Sequence, residues 1–214
     1  MIKYATPNVD LNKLAECHIA AFPKSLSSLL GEKVVASMLQ WYLSAPNKFL
    51  FYVEEHGIVQ GYCGGFVMDG TDAYGSGSGM TQFGFNQAAG SFARKPWLLL
   101  HPEVRKKYKF IFTNVARKLG LKKDQPMGIS APKPKDEPLT AGLVVIGVIP
   151  NLQQKGLGSL LQQEFERKAK EMGAKRLSLS VRKQNERAIK SYTKNGYHKS
   201  DENETSFIMT KDLI

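Results

Sequence analysis

One stretch constrains the fold more than any other: LTAGLVVIGVIP (139–150) followed by NLQQKGLGSLL (151–161). The first part is apolar and β-branched, the pattern of a buried strand. Two glycines, Gly156 and Gly158, punctuate the second part. From Gly158 to Met172 the apolar residues Leu160, Leu161, Phe165, Ala169 and Met172 share one helix face, and Gly173 stands beyond the end. The order is therefore strand, glycine turn, amphipathic helix.

The flanking sequence extends this pattern. KYAT reads as a short first strand, and LNKLAECHIAAF as a helix with Asp10 as its N-cap. Leu30 to Leu43 reads as a second helix. FLFYVEE and VQGYCGGFVMD read as strands of a hairpin joined by HGI. Downstream, KRLSLSV (175–181) alternates as a strand. Asn185 to Asn195 is a short helix closed by Gly196, and ETSFIMTKDL is a last strand paired with YHKS.

Between the hairpin and the buried strand the character changes. GTDAYGSGSGM is flexible by composition, His101 to Gly120 is helix-like with Pro102 at its first position, and KKDQPMGISAPKPKDEP is a Pro-rich loop. KPWLLLHP is a short apolar anchor for this segment. The chain carries a formal charge of +11, and residues 86–135 hold twelve Lys/Arg against Glu103 and Asp124, a net +10. The basicity belongs to one segment. With 214 residues and 42% hydrophobic content, a single domain with an insertion at about 70–137 accounts for the whole.

Other classes fit poorly. No apolar run approaches the roughly 20 residues that span a bilayer. The opening MIKYATPNVD lacks a charged-then-apolar leader pattern, so a cytoplasmic location is expected. Cys17 and Cys63 form no metal-ligand spacing and no disulfide framework, and read as small buried residues.

The glycine turn suits a pyrophosphate. Its backbone can approach an anion closely, the helix after it presents free N–H groups and a positive dipole end, and Lys155 adds charge. A tight turn with no ligand reads equally well from these residues alone. A Walker loop needs G-x-x-x-x-G-K-[ST], and a dinucleotide fingerprint needs G-x-G-x-x-G; neither is present.

Two motifs together carry a resemblance. Val148, Pro150, Gln153, Gly156 and Gly158 meet the pattern V-x-P, [QR]-x-x-G-x-[GA]; Asn185, Ala188, Tyr192, Gly196 and Tyr197 meet N-x-x-A-x-x-x-Y-x-x-x-G-[FY]. In that order, with a strand between them, the chain resembles the GNAT superfamily of acetyl-CoA-dependent N-acetyltransferases. The resemblance covers about 139–213 and more loosely 1–69. It implies an α+β fold: a twisted mixed sheet of about seven strands with helices on both faces, here with a helical basic insertion.

The resemblance also implies roles. The backbone of Ile146, Gly147 and Val148 would bind the pantetheine arm and the thioester carbonyl of acetyl-CoA, one N–H facing the developing oxyanion. Gln153, Gln154, Lys155, Gly156, Leu157, Gly158 and Ser159 would wrap the pyrophosphate. Asn185 would bond the arm, a role compatible with capping its helix. Tyr192 would act as the acid toward the leaving thiolate; a core aromatic is the plain alternative. No carboxylate lies on the strand 139–148, so the base is open, with Asp136, Glu137, Glu54, Glu55, Asp69, His101 or a water relay as alternatives.

The resemblance further implies an amine acceptor. The basic insertion favours an anionic small molecule such as an amino sugar, with a protein or tRNA amine, or a membrane surface, as alternatives. Trp97, Tyr108, Phe110 and Phe112 offer stacking surfaces for bases, yet no RNA-binding signature accompanies them. A non-catalytic CoA-binding interaction module is the rival from another class.

Overall fold

The computed structural model describes residues 1–68, 76–106 and 138–213. Seven strands form one sheet: β1 (Ile2–Tyr4), β2 (Lys48–Glu55), β3 (Ile58–Met68), β4 (Thr140–Val148), β5 (Arg176–Arg182), β6 (His198–Glu202) and β7 (Ser206–Asp212). Their order is β1-β2-β3-β4-β5-β7-β6. Among the described residues β4 and β5 run parallel and the other strand pairs are antiparallel. The β2–β3 hairpin closes on His56 (φ 50) and Gly57 (φ 77). Two successive positive φ values match the twist of the flanking strands.

Helices cover both faces. On one side lie α1 (Leu11–Ala21), α2 (Leu26–Leu30) and α3 (Glu32–Leu39). Asp10 caps α1 by accepting the Asn12 N–H at 3.0 Å. Leu14, Ala15, Val35 and Leu39 bury against Tyr42, Leu50, Tyr62 and Phe66. On the other face lies α6 (Leu157–Glu171), whose Leu161, Phe165 and Ala169 pack on Phe51, Ala141, Leu143 and Leu177. The short helix α7 (Glu186–Lys194) adds Ala188, Ile189 and Tyr192 to the same core. Cys17 and Cys63 are free and buried.

The segment between β3 and β4 departs from expectation. Residues 76–80 belong to the GSGSGM run read as flexible, but they open a long helix, α4 (Ser76–Arg94). Glycine is a poor helix former, yet here tertiary packing decides. A Cβ at Gly84 would lie 2.9 Å from Met38 Cγ, so this glycine lets α4 approach α3 closely. A 3-10 turn (Pro96–Leu100) and α5 (Pro102–Lys106) follow. Of the apolar anchor, Leu98 is buried beside Leu30 and Val34, whereas Trp97 and Leu100 are exposed. The rest of the helix read at 101–120, the Pro-rich loop and most of the basic charge lie outside the described residues.

A second correction concerns the helix read from Leu30 to Leu43. Gly31 at φ 111 ends α2 and begins α3, and Gln40–Leu43 continues as a 3-10 turn. A φ of that sign breaks a right-handed helix outright.

One irregularity positions everything that follows. In the β3–β4 ladder Gly64 faces Val145 and Gly65 faces Leu143, which leaves Val144 as an extra residue. An inserted residue flips the alternation of the strand. Ala141 and Leu143 face α6; after the bulge, so do Ile146 and Val148. The parallel pairing with β5 stops at the same point, covering residues 140–143 and 176–179.

Candidate active site

Beyond Leu143 strand β4 keeps its bonds to β3 and parts from β5. The parting opens a cleft of about 580 Å³. Ile146 and Val148 form its floor. Gln153, Gln154, Gly156, Gly158 and Ser159 form the wall at the start of α6. Asn185, Arg187, Ala188, Lys190, Ser191, Tyr192 and Lys194 form the opposite wall on α7, and Ala21 and Phe22 close the end at α1.

The turn before α6 is shaped by two positive φ values, Gln154 (φ 64) and Gly156 (φ 89). No side chain among the described residues caps the helix. Its first intrahelical bond runs from the Leu160 N–H to the Gly156 carbonyl at 3.0 Å. The preceding amides have no partner inside the helix, and they sit at its positive dipole end. Cβ atoms built at Gly156 and Gly158 would meet no described residue within 4 Å, which leaves room in front of this turn. Gln153 ties the turn down: its Nε2 donates to the Val148 carbonyl at 2.9 Å, and its Oε1 accepts from Arg187 Nη1 at 3.0 Å. Arg187, Lys190 and Lys194 line the cleft on α7, a cationic wall suited to an anionic ligand.

On the far wall Asn185 caps α7: its Oδ1 accepts the Ala188 N–H at 3.2 Å. That leaves its amide N–H donors for a second partner. Tyr192 sits one face-repeat further on, T-shaped against Tyr197 with ring centroids 5.7 Å apart. Burial, with a smaller contribution from nearby Cys63, pushes the Tyr192 phenol up to about 12. The neutral phenol is therefore the form present at neutral pH, able to donate. Burial pushes Tyr197 up as well, and its hydroxyl has no partner among the described residues.

Most residues named from the sequence thus meet in one place. Three do not line the cleft. Gly147 is packed against Tyr62, whose ring carbon would lie 2.5 Å from a Cβ there. Leu157 packs into the core, and Lys155 is exposed beside the turn. No Asp or Glu among the described residues lines the cleft. Glu54 is paired with Lys3 and Lys13, and the Lys3 bond holds its carboxyl below the usual range. Glu55 accepts from Gln60. Asp69, Asp136 and Glu137 lie outside the described residues, and His101 is not among the lining residues. His18 packs against Phe22 with tilted rings 5.1 Å apart and bonds Tyr62 and Ser27; burial lowers it to about 4, so it is neutral at pH 7.

Sequence reasoning missed Phe22, Gln162, Arg187, Lys190, Ser191 and Lys194. Helical spacing from named residues finds two of them: Gln162 lies four past Gly158, and Ser191 three past Ala188. Phe22 carries no such signal, because only the tertiary fold brings the end of α1 to β4.

Comparison with known proteins agrees with this geometry. The profile of the acetyltransferase (GNAT) family matches residues 84–197, just over half of the chain. No curated protein matches the sequence. Several solved structures share the fold. The PaiA N-acetyltransferase of Thermoplasma acidophilum, in complex with coenzyme A, is 14% identical, with 100% of this chain and 99% of that one covered at a TM-score of 0.53. A GNAT-family acetyltransferase from Elizabethkingia anophelis with acetyl-CoA bound is 13% identical, with 100% and 97% covered at 0.52. The ribosomal-protein-S18-alanine N-acetyltransferase of Escherichia coli is 17% identical, with 100% and 94% covered at 0.51. Family match, sheet order and cleft converge: the chain belongs to the acetyltransferase (GNAT) family and is an acetyl-CoA-dependent N-acetyltransferase.

Proposed function

We propose that acetyl-CoA lies in the cleft between β4 and β5 and that an amine attacks its thioester directly, within a ternary complex. The parting of the two strands after residue 143 carries this reading, because it frees the edge of β4 at residues 146–148 beside Tyr192. The pyrophosphate sits on the amides at the start of α6, with Gln153, Gln154, Gly156, Gly158 and Ser159 around it. Lys155, exposed beside that turn, adds charge from outside, and Gly147 and Leu157 hold the backbone in place. Asn185 donates to the arm through the amide its capping bond leaves free. A backbone N–H of 146–148 faces the carbonyl oxygen as it gains charge.

In the reaction the amine nitrogen bonds to the thioester carbon and the carbon–sulfur bond breaks. A phenol at about 12 holds its proton more firmly than an ordinary thiol near 8.5. Tyr192 therefore stabilises the departing sulfur by hydrogen bonding, and the proton that ends on the thiol comes from the attacking nitrogen through water. With no carboxylate in the described lining, water is the reading we favour for the base.

For the acceptor, the net +10 of residues 86–135 favours an amine that carries negative charge, a small molecule such as an amino sugar in its narrowest form. A protein amine is the second reading, since the Escherichia coli relative is named for an acetylated ribosomal protein. The test is thiol release from acetyl-CoA across a panel of anionic, neutral and peptide amines. Turnover confined to anionic small molecules supports the first reading, and turnover confined to peptides the second. CoA binding with no turnover on any amine would overturn the catalytic assignment of this cleft.

A further inference from the structure

Among the described residues, Gln162 is the cleft-lining side chain that carries a buried, unpartnered polar atom. It stands on α6 one turn past Gly158, is 6% exposed and lines the cleft. Its Nε2 donates to Ser191 Oγ at 2.9 Å, and Ser191 immediately precedes Tyr192 on α7. Its Oε1 is buried with no partner among the described residues. Native interiors leave few such groups, because an unpaired buried carbonyl is destabilising. Turning the amide over does not remove the problem. The Ser191 hydroxyl would then donate to Oε1, and the N–H end would be left unpaired. In either orientation one end of a planar amide, anchored at the other end by Ser191, waits for a partner.

Position narrows what that partner is. Gln162 lies between the amides at the start of α6, which take phosphate, and Tyr192, which faces the thioester. The part of acetyl-CoA that joins those two points is the pantetheine arm. The arm carries two secondary amides, and a secondary amide offers both an N–H and a C=O. We propose that Gln162 pairs with an amide of the pantetheine arm and that Ser191 holds it in place to do so. This rests on the reading of the cleft as the acetyl-CoA site.

The experiment compares two ligands by calorimetry: CoA, and 3′-phospho-ADP, which is its nucleotide half without the arm. Wild type, Gln162→Met and Ser191→Ala are measured with both. Losing one neutral hydrogen bond in a dry cleft should weaken CoA binding by about 5- to 10-fold in Gln162→Met. Ser191→Ala should give a smaller loss in the same direction. Both variants should bind the nucleotide half as wild type does, which also shows that they are folded. Equal weakening of both ligands would overturn the proposal, since it would place Gln162 against the nucleotide or make its role purely structural. Unchanged CoA binding in Gln162→Met would overturn it too, with the cleft assignment left standing. Wild type that binds no CoA would instead sink the cleft assignment on which the proposal rests.

Discussion

The two halves of β4 differ, and the difference separates stability from chemistry. Residues 140–143 are hydrogen-bonded on both edges, to β3 and to β5, and all four are buried. Residues 145–148 keep β3 but leave β5, Val144 bulges out between the halves, and 144–146 are only partly buried. A strand paired on both edges has spent its polar groups on the fold. One released on a single edge keeps donors and acceptors for a ligand. The Val144 bulge is the hinge between the two, because it both ends the parallel ladder and turns Ile146 and Val148 into the cleft.

Substitutions in each half should have different consequences. The largest effect belongs to the paired half. Leu177 faces Ala141 across the ladder and is fully buried. Leu177→Ala should cost about 3 kcal/mol of stability. Its CoA affinity per folded molecule should be unchanged; chemical denaturation and calorimetry check both, and lost affinity in folded protein would erase the contrast.

At the released half the effect should fall on turnover. Tyr192→Phe removes a hydrogen bond to developing charge and should lower kcat by about 10- to 100-fold at unchanged CoA affinity. The phenol's elevation to about 12 fixes the pH behaviour. The folded state holds this proton more tightly than the unfolded state does. Its contribution to stability is therefore complete below pH 10 and is lost as pH rises from about 10 toward 12. The kcat profile of the wild type should show no alkaline fall from Tyr192 below pH 10.

Smaller effects separate the two glycines of the turn. Gly156 sits at φ 89 with open space around it, so Gly156→Ala meets strain and no clash. It should cost about 1–2 kcal/mol and weaken CoA binding through the displaced turn. Gly158 lies inside α6 with no such φ. Gly158→Ala should raise stability by about 0.5–1 kcal/mol. Melting temperatures of the pair decide it, and two equal losses would contradict the assignment of strain to Gly156 alone.

The released half was legible where local rules decide. The run Val148–Ser159 and the cap at Asn185 rest on residue types fixed by backbone shape: a left-handed φ at Gly156, a side-chain acceptor at Asn185. The β2–β3 hairpin reads out of its glycine and short connection, and β5 out of its alternation, for the same reason. What stayed hidden depends on contacts distant in sequence. The bulge at Val144 is set by pairing with Gly64 and Gly65, and no pattern within β4 announces it. Helix α4 forms through a glycine-rich run because α3 offers a surface that Gly84 fits. The break at Gly31 lay within an otherwise periodic run, and a glycine there is tolerated or not according to its φ alone. Gln162 looked like one polar residue on a helix face until the fold set it against Ser191.

Amide hydrogen exchange across β4, with and without CoA, distinguishes the paired half from the released half. CoA should add protection at residues 144–148 and at the start of α6, with residues 140–143 unchanged because their bonds are already made. Protection spread evenly along β4, or none beyond residue 143 in protein saturated with CoA, would contradict it.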